Sequence, residues 1–174
     1  MSRKARDFGI GCGLASVILG GLLLIFSLSC KPVPSEAQVQ VAMENLWVKS
    51  PEDNRKLHAI PVPITWKMGD LKGTTLASTI VYADRIEITF DWMEIKAKNE
   101  RLEPIIAHEI SHAYDAFNTY GIEEFFRLVA EERGLAWADR TVEKSAIQQE
   151  NQTRQYLIKN YPAEFKNMSP SRRT

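Results

Sequence analysis

The sequence predicts an α+β fold, a small and mostly antiparallel sheet packed on one buried helix, with a transmembrane helix ahead of it. Three observations carry this. Three β-rich runs, Ile60–Lys67, Thr75–Tyr82 and Arg85–Phe90, are separated by turn residues. The stretch Leu102–Asn118 repeats apolar residues (Ile105, Ile106, Ala107, Ile110, Ala113, Tyr114, Phe117) at helical spacing and so broadly that it must be buried. The uncharged run Phe8–Ser29 spans about 33 Å as a helix, enough to cross a bilayer.

Taken in order, Met1–Asp7 is a short basic segment with Arg3, Lys4 and Arg6. Positive charge ahead of residues 8–29 favours a cytoplasmic N-terminus and a domain on the far side of the plasma (inner) membrane, as a single-pass protein. The rivals are a cleaved signal and a lipoprotein signal with Cys30 as the lipidated residue. Residues 30–35 form a stiff proline-bearing linker. A domain over 36–165 follows, then a polar, basic tail over 166–174 that is expected to be mobile. Ser35 and Gln38 form a capping box for a helix over Glu36–Val48, with Val39, Ala42, Met43, Leu46 and Trp47 on its inner face. Ser50–Lys56 reads as polar loop, and His58 falls near the start of the first strand. Pro61 and Pro63 hold that strand to an edge. Arg85–Phe90 alternates polar and apolar, which suggests a half-buried strand near an edge. A short helix with Trp92, Met93 and Ile95 is expected before Leu102, and Tyr120-Gly121 ends the buried helix. From Ile122 to Asn160 the pattern is helical, with no break that can be placed.

The 22 basic and 22 acidic residues balance, and no basic patch is interleaved with aromatics, so a nucleic-acid partner is not expected. Both cysteines, Cys12 and Cys30, precede the domain, which excludes a disulfide framework or a thiolate metal site within it.

The chemistry lies in His108-Glu109-Ile110-Ser111-His112. Residues four apart share one face of a helix, so both imidazoles can meet one metal ion, for which zinc is the natural choice. Glu109 lies about 100° round the helix from His108 and can reach a water that the metal activates, as a general base. A hydrolytic zinc site needs a third protein ligand. Glu132 sits within the apolar stripe of Phe125, Leu128, Val129, Leu135, Ala136 and Val142, where a carboxylate needs a partner, and it is the expected third ligand; Glu131 is the fallback. Asp139, on the same face, is a candidate to hydrogen-bond a ligand histidine. Asp115 is too far along the helix to join both histidines on one tetrahedral ion, and is read as bracing the site or the next loop.

The His108-Glu109-x-x-His112 motif with a downstream glutamate-bearing helix resembles the gluzincin group of zinc metallopeptidases, which includes thermolysin-like and minimal "minigluzincin" domains. Glu132, 20 residues after His112, has a similar separation. The resemblance covers about Ile60–Val142 and implies a zincin-like fold, Zn2+ as cofactor and peptide or protein substrates laid along a strand beside the cleft, for which Arg85–Phe90 is the candidate. Asp115 and Asn118 stand where metzincins have Gly and His, which excludes that group. SprT-like domains use a third histidine, and none follows His112. Thermolysin-like enzymes have an Asp four residues after the ligand glutamate; here that place is Ala136. Tyr114, Tyr120 and His58 are the candidates for the residue that stabilises the oxyanion in that group.

The expectation is therefore a membrane-anchored zinc metallopeptidase with Glu109 catalytic and His108, His112 and Glu132 as ligands. The alternatives are a zinc-containing binding or structural module without proteolysis, and a cell-wall amide hydrolase.

Overall fold

The structure, a computed structural model, describes residues 36–171. The described residues are mainly helical rather than α+β: among them seven α-helices accompany a sheet of three short strands. In order come α1 (Glu36–Lys49), α2 (Pro51–Ala59), β1 (Ile64–Met68), β2 (Ala77–Val81), β3 (Ile86–Phe90), α3 (Trp92–Ala97) and α4 (Leu102–Tyr114). A π-turn (Asp115–Thr119), α5 (Ile122–Glu131), two 3-10 turns (Glu132–Gly134 and Trp137–Asp139), α6 (Thr141–Asn160) and α7 (Pro162–Phe165) complete it. Among the described residues no helix is long and apolar enough to cross a membrane. The span expected at 8–29, the linker at 30–35 and the last residues of the tail lie outside them.

The sheet has the order β1-β3-β2, with β3 antiparallel to β2 but parallel to β1, so it is mixed rather than mostly antiparallel. The strand expected near an edge, β3, is the central one. Its alternation arises because one face, Ile86, Ile88 and Phe90, is fully buried against helices, while Glu87 on the other pairs with Lys67 and Arg85. Alternation reports one-sided burial, which a central strand of a one-layer sheet shows as readily as an edge strand.

Residues 50–59 form α2 and not a loop. Pro51 stands at the first helical position, Glu52 and Asp53 fill the first turn, and Lys56 and His58 fill the last, each favourable to the helix dipole. The helix lacks an apolar stripe and docks through a polar one. Buried Asp53 accepts from Ser50 Oγ, Gln149 Nε2 and Thr153 Oγ1, the last two on α6. Burial pushes the Asp53 carboxyl upward against these three donors.

All but the last of the 13 residues of α4 are buried, so it is the axis of the domain. Val39, Ala42, Met43 and Leu46 of α1 and Ile86, Ile88 and Phe90 of β3 pack with Ile105, Ile106, Ile110 and Ala113 in the main core. A second cluster joins Val81, Ala116, Phe125 and Val142. Helix α5 begins after Gly121, whose φ of 83° lies in the left-handed region that favours glycine.

Candidate metal centre

The buried helix α4 carries His108 and His112 one turn apart, and their Nε2 atoms stand 3.1 Å from each other. Helix α6 lies along α4 and begins at Thr141, so Glu143 enters in its first turn. Glu143 Oε2 is 3.4 Å from His108 Nε2 and 3.4 Å from His112 Nε2. Donors about 2.0–2.1 Å from a tetrahedral zinc ion lie about 3.3–3.4 Å apart along each edge of the tetrahedron. The triangle of two imidazole nitrogens and one carboxylate oxygen therefore matches one face of such an ion. The donor set, two histidines and a glutamate, is also one that zinc accepts. Glu143 Oε2 and His112 Nδ1 are buried and have no hydrogen-bond partner among the described residues. A carboxylate oxygen so enclosed is costly unless a cation, an imidazolium or a metal ion, meets it.

The surroundings hold His108 in the orientation a metal requires. Its Nδ1 stands 3.1 Å from Glu150 Oε2, a fully buried carboxylate seven residues beyond Glu143 on the same face of α6. Donating the Nδ1 proton there leaves Nε2 free as a ligand. Glu150 is itself fixed by Arg154 (2.8 Å), which also reaches Glu100 (2.7 Å). The indole of Trp137 stacks on the other side of the ring, 5.8 Å between centroids and 11° from parallel. Without a metal, the carboxylates hold a proton in the cluster. Burial opposes charge on His108, yet Glu143 and Glu150 on its two nitrogens raise its pKa to about 9. Burial likewise opposes charge on Glu143, but the two histidines hold its pKa down at about 2.

Glu109 is 5 % exposed, and its Oε2 accepts a 2.6 Å hydrogen bond from Thr79 Oγ1 on β2. Both line a cleft of about 700 Å³ shared with His108, His112 and Glu143. Its apolar lining includes Phe125, Phe126, Val129, Trp137 and Val142, and the segment Thr74–Val81 also lines it. Strand β2 pairs only with β3, so its other side is an open edge among the described residues. The bonds Asp91 N–H to Leu76 O and Tyr82 N–H to Arg85 O fix the ladder's phase. Ser78 and Ile80 turn their backbone groups toward β3, and Ala77, Thr79 and Val81 turn theirs toward the cleft.

Of the residues expected at the site, His108, Glu109 and His112 come together. Glu132 does not join them. Its carboxylate accepts from the backbone N–H and the Oγ1 of Thr141, capping the first turn of α6. The apolar stripe around Glu132 ends with α5, and the chain turns through residues 132–140 before α6 begins. Glu143 stands beside the imidazoles in its place. Glu131 pairs with Arg127 at the surface. Asp139 is exposed, and Glu150 makes the histidine contact considered for it. Asp115 accepts from Thr119 Oγ1 (2.8 Å) within the π-turn that ends α4. Tyr114 lies under Lys56 and Arg55, and His58 is exposed on α2; neither they nor Tyr120 line the cleft. The strand at the cleft is β2, since Arg85–Phe90 is enclosed on both sides. Glu143 and Glu150 had a sequence signal: with Ala146, Ile147, Arg154 and Leu157 they form one stripe of a long amphipathic helix. No protein-family model, curated protein or solved structure matches the chain.

Proposed function

We propose that the protein is a zinc-dependent peptidase whose metal is held by His108, His112 and Glu143. The observation that carries this is the donor triangle of 3.1, 3.4 and 3.4 Å with an unligated carboxylate, Glu109, in the same cleft. A structural metal site has no use for that fourth group, whereas a hydrolytic one needs a base. Zinc supplies Lewis acidity there and brings the pKa of a water toward about 7. Glu109 takes a proton from the attacking water and returns it to the leaving amine. The backbone groups of Ala77, Thr79 and Val81 along the open edge of β2 suit an extended peptide, which strand pairing would draw past the base. The apolar lining of the cleft suits large hydrophobic side chains. Location at the plasma membrane, with the domain outside the cytoplasm, is proposed from the basic segment and the uncharged run at residues 8–29 alone.

The test uses the full-length protein loaded with zinc and assayed on casein, on a quenched fluorescent peptide library and on cell-wall peptides. Glu109→Gln should keep stoichiometric zinc and lose about 10²–10⁴-fold in peptide hydrolysis. Zinc-loaded wild-type protein that cleaves none of these, or equal rates in both proteins, would leave a binding or structural module as the better reading. Cleavage confined to cell-wall peptides would make it a cell-wall amide hydrolase.

A further inference from the structure

We infer that Thr79 is a positioning residue for the general base, joining Glu109 to the strand edge on which substrate lies. This rests on the peptidase reading above and adds to it. The Thr79 Oγ1 proton is donated to Glu109 Oε2 at 2.6 Å, so one carboxylate oxygen is fixed and the other is left to act on water. The same residue turns its own backbone N–H and C=O into the cleft, by the phase of the β2–β3 ladder. Residue 79 thus belongs at once to the surface that would align a peptide and to the contact that orients the base. A peptide paired with that edge and the carboxylate that must serve it are referred to one rigid element. A mere partner for a buried carboxylate could have come from any neighbouring donor. Here it comes from the strand that registers the substrate, and displacements of about 1 Å in such an arrangement cost about 10²-fold in rate.

Thr79→Val keeps side-chain shape and the whole backbone edge but removes the hydroxyl, and Thr79→Ser restores it. In zinc-loaded full-length protein, Thr79→Val should lower kcat about 10- to 100-fold with KM within about twofold and zinc stoichiometry unchanged, and Thr79→Ser should recover most of the loss. A purely structural hydroxyl would instead lower melting temperature or zinc content and leave kcat per zinc intact, and that result overturns the inference. So do equal losses in the valine and serine variants, or a change confined to KM. An active wild-type enzyme with an unaffected Thr79→Val variant removes this inference alone. A zinc-loaded wild type that cleaves nothing removes the peptidase reading with it.

Discussion

In the proposed centre zinc would compete with a proton for His108, and the size of that competition follows from the site. With Glu143 on one ring nitrogen and Glu150 on the other, the metal-free imidazole has a pKa of about 9 against an ordinary 6.5. At pH 7 about 99 of 100 metal-free molecules therefore carry the proton, since two pH units are a hundredfold. Binding must displace it, so apparent zinc affinity should rise about tenfold per pH unit between pH 7 and about 9, then level off. The penalty at pH 7 is about 2.7 kcal/mol. Calorimetric titration against a competing chelator, in two buffers of different ionisation enthalpy, reads both the slope and the protons released. A water acidified by the ion adds to the proton count in every variant, so the comparison that isolates His108 is with Glu150→Gln. That change removes one of the two carboxylates and should flatten the slope and reduce proton release. It should also weaken zinc binding about 10- to 100-fold above pH 9, where the proton no longer competes, because the ring loses its orienting partner. Affinity independent of pH from 7 to 8.5, or identical proton release in wild type and Glu150→Gln, would refute the reasoning.

The metal-free protein should itself be most stable between about pH 4.5 and 6.5 in thermal melts. The raised His108 pKa gives stability that is complete below 6.5 and lost as pH rises toward about 9, while the lowered Glu143 pKa gives stability present above 4.5 and lost as pH falls toward about 2. A metal-free melting temperature that climbs steadily from pH 6 to 9 would contradict the cluster. Glu132→Ala should lower the melting temperature by uncapping α6 while leaving zinc-dependent hydrolysis per molecule unchanged. Gly121→Ala should cost about 1–3 kcal/mol, since alanine is strained at this positive φ with extended ψ, and chemical denaturation measures it.

The motif on α4, the first helix and the three strands were legible because each is written in apolar periodicity. What escaped was written in charge or in turn geometry. Helix α2 has no apolar stripe, and its anchor is a buried aspartate bound by donors about a hundred residues away in sequence. The order of the sheet depends on a parallel pairing between strands that are not adjacent in sequence, which periodicity does not encode. Glu132 is the expected third ligand only when a single helix runs through residues 122–160. Read continuously, Glu132 lies inside the stripe. The chain instead breaks at two 3-10 turns, and the break swaps the roles of two glutamates: Glu132 stops the next helix from fraying, and Glu143, on that helix, faces the histidines. The carboxylates beside the histidines, Glu143 and Glu150, lie one helix further on.

The most direct measurement is the zinc content and affinity of Glu143→Ala beside Glu132→Ala and wild type, by elemental analysis and chelator competition on the full-length protein. Wild type and Glu132→Ala should each hold one zinc per chain with similar affinity, and Glu143→Ala should lose it or bind at least about 100-fold more weakly. Full-strength zinc binding in Glu143→Ala, or its loss in Glu132→Ala alone, would contradict the centre described here.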